Sequence, residues 1–410
     1  MKYEILDKNS VIDYLLEIKD VMNYFCDKEL EAKEIGDGNL NFVFLVSSIK
    51  NPEKALIVKQ AVPYLRCIGE DFPLDRKRMT FEIRALIEFS KLASSAIPKL
   101  HHTSEDMSVV VMQYLGEHQI LRAGLLKQHK YLSFSEQISS YLANTLFYTS
   151  SLYLQSTQKR ELIDHFNSNT ELCKLTEDFV FTFAFMDNET NDNENVKDNK
   201  LAKKLFDDMQ FKQRVLELKY KFMTQSDCLL HGDLHTGSIM LNDKETFVID
   251  PEFSFVGPFG FDIGALLANL VNNYIHHTIV TESEEYQDWI IKNISDILCM
   301  FNHKFLKLWN KEESSALIVD GFINKDSLME YKENFVKSIL RDSVGFAGCK
   351  MARRVFGVAG VEDIRGIEDK GLRQKAESLA INIAKDFVLK YNSINEMEDI
   401  INIIKDNSAR

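Results

Sequence analysis

Leu229-Leu-His-Gly-Asp-Leu-His-Thr-Gly-Ser-Ile-Met-Leu241, followed after five residues by Phe247-Val-Ile-Asp-Pro-Glu-Phe253, is the densest chemical signal in the chain. Two apolar runs flank a polar centre holding two histidines, an aspartate and two glycines. The second stretch is strand-like and ends in two carboxylates spaced i, i+2. On an extended segment Asp250 and Glu252 project to the same side. Two converging acids suit a divalent cation, because Mg²⁺ takes carboxylate oxygens together with phosphate oxygens. A lone aspartate after an apolar strand is ordinarily a turn residue. Here Asp233, Asp250 and Glu252 come as a set, with Ser238 between them. His231 and His235 stand at i, i+4, a zinc spacing on a helix. Gly232 and Gly237 argue for a loop instead, and His231 is expected to brace that loop through hydrogen bonds.

Upstream lie the partners such a site needs. Glu34-Ile-Gly-Asp-Gly-Asn-Leu-Asn-Phe-Val-Phe-Leu-Val46 reads as a glycine turn running into a strand. Gly36 and Gly38 would let a backbone approach phosphates without interference from a Cβ. Ala55-Leu-Ile-Val-Lys-Gln60 is a second strand, carrying Lys59. A lysine on a strand is commonly just solvated. Lys59, however, precedes a helical pattern over 75–93 on which Glu82 stands 23 residues later, with Glu88 as the competing partner. A Lys–Glu ion pair would fix the ammonium for phosphate binding. Val109-Val-Val-Met112 is a buried-type strand, and Gln113, Tyr114 and Leu115 follow it as an interdomain connector that would also serve as a hinge whose backbone bonds a nucleobase edge.

Residues 10–26 carry one helical pattern, with Ser10 as its cap and Asp13 at the capping-box position. The first ~115 residues thus read as a small sheet plus a packed helix, and helical patterns dominate from about 119 onward. The polar run over 186–200 reads as a solvated loop or insertion. Composition sets the outer bounds. The 410 residues hold 49 Lys+Arg and 62 Asp+Glu, a net charge of −13, with 45% hydrophobic residues. Those are globular values. The acid excess argues against nucleic acid or an anionic membrane as the main partner. No segment approaches the roughly 20 apolar residues of a membrane span. The N-terminus lacks a signal-peptide layout. The six scattered cysteines read as thiols in a reducing compartment, so a cytoplasmic location is expected.

Asp233 stands five residues before Ser238 and 17 before Asp250. This spacing matches a protein-kinase catalytic loop followed by its metal-binding aspartate. More narrowly, the chain resembles the methylthioribose kinase family, within the kinase-like superfamily of aminoglycoside phosphotransferases and choline kinases. The resemblance rests on Glu34–Asn41, Lys59–Tyr64, His231–Ser238 and Asp250–Phe253. It extends through Gly257-Pro-Phe-Gly-Phe-Asp-Ile-Gly264 and Gly345-Phe-Ala-Gly-Cys-Lys-Met-Ala-Arg-Arg354. It implies a two-lobe, protein-kinase-like α+β fold, with a small antiparallel-sheet N-lobe over 1–114 and a mainly helical C-lobe over 115–410. It implies transfer of the ATP γ-phosphoryl group to the 1-hydroxyl of 5-methylthioribose, a step of methionine salvage. Asp233 would be the catalytic base. Gly36, Gly38, Asn39, Asn41, Lys59, Gln113, Tyr114, Leu115, Asp250, Pro251 and Glu252 would hold ATP. Asp250, Glu252 and Ser238 would hold Mg²⁺, although Ser238 departs from the asparagine of protein kinases. Arg353 and Arg354 would reach the substrate. Adjacent helical residues point in different directions, so which of the two makes contact stays open. A homodimer is also implied. The rivals are a kinase for an aminoglycoside, choline or another alcohol, and a non-catalytic nucleotide-binding pseudokinase.

Overall fold

The computed structural model describes residues 3–35, 40–65, 69–192, 200–312 and 315–409. Three segments rich in valine, isoleucine and phenylalanine, which suit a pleated surface, form the centre of one five-stranded sheet. Its order is Leu30–Glu34, Asn41–Ser48, Ala55–Ala61, Val109–Gln113 and Leu100–Ser104, with every neighbouring pair antiparallel. Side chains alternate across it. Phe44, Val46, Leu56, Val58, Val109 and Val111 bury one face against Val11, Leu15, Val21 and Phe25. The other face carries Ile57, Ala61, Val110 and Met112 into the main core. Lys59, two residues from Ile57, therefore lies on the inward face.

The N-terminal helical pattern forms two helices rather than one, Ser10–Leu16 and Lys19–Phe25, broken where Ile18 turns extended at φ −97°, ψ 107°. The break lets both short helices turn apolar residues to the same sheet face. Ser10 is not the cap. Asp7 Oδ1 accepts from the backbone N–H groups of Asn9 and Ser10 at 2.7 and 2.8 Å, and Ser10 lies inside the first turn. The next helix runs over Arg78–Leu92, a little shorter than its sequence pattern. Phe89 packs edge-on against Tyr141 and Phe81 lies beside Phe166, so this helix joins the sheet to the helical lobe.

The helical lobe is organised around the Gly260–His276 helix, which crosses the Lys325–Phe356 helix. A Cβ at Gly264 would sit 2.6 Å from the Ser343 carbonyl oxygen and 2.9 Å from Phe346 Cβ. Only glycine lets these two backbones approach so closely. Two short antiparallel ladders interrupt the helices. Cys228–Leu230 pairs with Phe255–Gly257, and Ile239–Leu241 lies between Thr246–Val248 and Gln119–Ile120. The polar run at 186–200 is anchored at its start. Buried Asn191 donates through Nδ2 to the carbonyls of Phe183 and Met186, and Asp192 N–H donates to Phe356 O. Among the described residues Cys26, Cys173, Cys228, Cys299 and Cys349 are free thiols, while Cys67 lies outside them. The architecture is the expected two-lobe, protein-kinase-like α+β fold, a small antiparallel sheet above a mainly helical body.

Candidate active site

The two short ladders hold the ends of two loops, 231–238 and 249–254, against each other. Gly232 has φ +85°, and a Cβ there would lie 2.1 Å from Phe253 O, so the two loops touch only because residue 232 has no side chain. Asp262, at the start of the Gly260–His276 helix, accepts from the N–H groups of His231 and Gly232 at 2.6 and 3.0 Å. His231 is fully buried. Its Nε2 pairs with Ile249 O at 2.8 Å, so Nε2 carries the proton, and its Nδ1 accepts from Asp233 N–H at 3.2 Å. His231 thus braces both loops.

A first cluster gathers Lys59, Glu82, Asp250 and Glu252. Lys59 donates to Glu82 at 2.8 Å and also contacts Asp250. Glu88 instead pairs with Lys91 at the surface. Oxygens of Glu82, Asp250 and Glu252 lie within 4.8 Å of one another. Asp250 and Glu252 do not converge as neighbours on a strand. The strand ends at Val248, and Asp250 adopts φ +68°. An aspartate tolerates this left-handed geometry better than most residues, and such geometry concentrates at functional sites. Asp250 remains 45% exposed while Glu252 is buried. Asn41 Nδ2 donates to Glu252 Oε2 at 3.0 Å. Arg78 donates to Asn41 Oδ1 and stands 3.6 Å from Glu252. Asn169 Nδ2 donates to the carbonyls of Glu252 and Ser254. Burial disfavours the Lys59 charge, but Asp250, Glu82 and Glu252 outweigh it and raise its pKa. Burial raises the Glu82 and Glu252 carboxyls.

A second cluster surrounds Asp233, whose side chain is 23% exposed. Lys350 Nζ donates to Asp233 Oδ1 at 3.0 Å, and His235 Nε2 stands 3.4 Å from Oδ2. Burial would raise the Asp233 carboxyl. Lys350, with Arg354 and Arg353, reverses this and holds it well below the usual range. Burial, with Arg354, Arg122 and Lys350, pushes His235 down to about 3, so the imidazole is neutral. Arg354 donates to Ala359 O at 2.6 Å, and Arg122 stands 3.6 Å from Asp363. The Nε atoms of Arg353 and Arg354 are buried without a hydrogen-bond partner among the described residues. They leave donor capacity for an anion.

The sequence-derived candidates therefore fall into two neighbouring groups. Asn41, Lys59, Asp250 and Glu252 meet in the first, and Asp233, Arg353 and Arg354 in the second. Ser238 is buried between them and donates to Asp233 O at 3.1 Å, with His235 Nδ1 at 3.2 Å. Pro251 separates the two acids, and its carbonyl accepts from Ser254 N–H. Gln113 closes the sheet with its N–H on Lys99 O, Tyr114 is exposed and Leu115 is buried. Gly36, Gly38 and Asn39 lie outside the described residues. Sequence reasoning assigned no role to Arg78, Arg122, Asp262 or Lys350. Asp262 and Lys350 stand inside stretches that carried the resemblance, which was the available signal.

A phosphotransferase enzyme family matches residues 31–289, which puts the chain among the phosphotransferases. Over 364 residues it is 38% identical to methylthioribose kinase 1 of Oryza sativa subsp. japonica, covering 87% of this chain and 84% of that one. It is 37% identical to methylthioribose kinase of Escherichia coli O45:K1, with 92% and 91% covered. It is 39% identical to methylthioribose kinase of Bacillus cereus, with 96% and 95% covered. The chain belongs to the methylthioribose kinase family.

Proposed function

We propose that this enzyme transfers the γ-phosphoryl group of ATP to the 1-hydroxyl of 5-methylthioribose, giving 5-methylthioribose 1-phosphate in methionine salvage. The observation that carries this assignment is the pairing of two clusters. One has carboxylates and a lysine suited to a metal–triphosphate. The other has a carboxylate set among cations and suited to an alcohol becoming a phosphate ester. Asp233 accepts the hydroxyl hydrogen bond and orients the sugar oxygen. The O–H proton passes to Asp233 as the sugar oxygen bonds the γ-phosphorus. The bond from that phosphorus to the β-phosphate oxygen breaks, and ADP leaves with the electron pair. A carboxylate with a depressed pKa is a weak base. That suffices, since a loose transition state asks for positioning more than early proton removal. Arg353 and Arg354 face the charge arriving on the acceptor side.

The hard oxygens of Asp250 and Glu252 fit Mg²⁺, with Ser238 as a further ligand of the expected set. When bound, Mg²⁺ neutralises phosphate charge. Lys59, held by Glu82, binds phosphate oxygens. We assign phosphate binding to Gly36, Gly38, Asn39 and Asn41, and recognition of the base to Gln113, Tyr114 and Leu115. We assign residues 1–114 to the nucleotide lobe and 115–410 to the acceptor lobe, and we expect a cytoplasmic homodimer. No helix among the described residues is long and apolar enough to cross a membrane.

ADP release measured across methylthioribose, choline, homoserine and kanamycin tests the substrate. Turnover confined to one of the other alcohols would sink the assignment. Asp233→Ala should lower kcat by about 10²–10⁴-fold while nucleotide still binds. Near wild-type turnover in that variant would remove Asp233 from the mechanism.

A further inference from the structure

Lys350 plays no part in the mechanism above, yet it is one of the most constrained charges in the molecule. It lies on the Lys325–Phe356 helix with its side chain 4% exposed. Its Nζ makes one hydrogen bond among the described residues, to Asp233 Oδ1 at 3.0 Å across 117 positions of sequence. Its Nζ also stands 4.7 Å from the centroid of the Phe261 ring. Packing alone does not call for an ammonium here. An apolar side chain of similar volume would fill the space without the desolvation that a buried charge entails. Arg353 and Arg354 follow at i+3 and i+4, so one helical face presents three cations towards Asp233.

The geometry divides the two oxygens of Asp233. Lys350 occupies Oδ1, and Oδ2 lies near the neutral His235 ring. A carboxylate with one oxygen fixed by an ammonium cannot rotate freely about its terminal torsion. The other oxygen is then set in one direction. We propose that Lys350 is a positioning residue for phosphoryl transfer, fixing Asp233 so that Oδ2 receives the acceptor hydroxyl. This deepens the proposed function, since it rests on Asp233 facing an alcohol. It adds a residue that acts through Asp233 and leaves the nucleotide cluster untouched.

The test is a double-mutant cycle on the full chain: wild type, Lys350→Met, Asp233→Asn and both together, with Lys350→Arg as the charge-keeping control. Lys350→Met should lower kcat by about 30–1,000-fold. The KM for ATP and the affinity for ADP should stay within about twofold. In the Asp233→Asn background the same change should cost less than about threefold, because its route of action is already gone. Lys350→Arg should recover at least about tenfold of the loss. Thermal unfolding of the same proteins gives a second cycle that needs no turnover and also covers poor folding of Lys350→Met. There the double variant should lose less Tm than the two single variants summed. A Lys350→Met kcat within about threefold of wild type overturns the proposal. So does an equal loss with and without Asp233, or additive losses of Tm. Wild type is assayed first on methylthioribose. Failure at that point strikes the substrate assignment, and the cycle then runs on whichever alcohol supports ADP release.

Discussion

Two residues at the heart of the acceptor cluster hold one charge state each across the ordinary pH range. Asp233 is kept ionised by Lys350 and the arginines, and His235 is kept neutral, titrating at about 3. The depressed Asp233 pKa contributes stability that is present above its unfolded value of about 3.9. That stability is lost as pH falls through the folded value. Activity should therefore show no inflection near pH 6.5, where an ordinary histidine titrates. Measured kcat between pH 5.5 and 8.5 should be free of a step owed to His235. A step that disappears in His235→Asn would show that the imidazole does titrate during turnover. Asp233, Lys59 and Glu82 were legible because their chemistry is written in short-range spacing. A strand lysine, a helix glutamate 23 residues on and a glycine-flanked aspartate each carry a local pattern. Lys350, Arg78 and Arg122 have none, since a cation on a helix looks solvated until the fold turns it inward. The choice of Glu82 over Glu88 was half-legible. Periodicity favoured Glu82 with Glu88 left as the competitor, and packing put the first beneath Lys59 and the second beside Lys91.

Helices position these residues, and their crossings are set by small side chains. The Gly260–His276 helix carries Asp262 at its start, and the Lys325–Phe356 helix carries Lys350 and the arginines near its end. Gly264 sets their separation. Gly264→Val should destabilise the fold by about 1–3 kcal/mol through overpacking. It should also lower kcat in the fraction that stays folded, because Asp262 and Lys350 both hang from that crossing. Chemical denaturation together with turnover per folded molecule checks this. An unchanged denaturation midpoint would mean that the crossing relaxes freely. The sequence predicted the larger elements from their periodicity. It missed the break at Ile18 because no glycine or proline marks it. There the sheet face overrides a continuous helical pattern. It also missed the short ladder that pairs 228–230 with 255–257. Three-residue strands are too brief to carry an alternation signal, and they form only because their partner strand is nearby.

The whole molecule unfolds as a unit if its core is continuous, and the main core is. Ala61, Val110, Met112, Phe81 and Phe89 of the sheet lobe belong to the same apolar cluster as Phe259, Phe305 and Phe346 of the helical lobe. A fragment of residues 1–114 should therefore fail to fold alone, giving a circular-dichroism spectrum without a cooperative melt. A stable, melting fragment would make the lobes separate folding units. Function should depend on metal in the same global way. Chelation should abolish ADP release, and added Mg²⁺ should restore it without refolding, since the carboxylate cluster is already formed among protein partners. The contact between Lys350 and Asp233 has a consequence in time as well as in space. Their codons are 117 apart. At ordinary elongation speeds of about 5–20 residues per second, Asp233 is added to the chain roughly 6–23 s before its partner. During that interval the nascent chain carries the aspartate without its fixing ammonium or either arginine. The finished acceptor site cannot exist until the Lys325–Phe356 helix has been synthesised, so a chain stopped short of Lys350 carries its base aspartate with no ammonium to orient it.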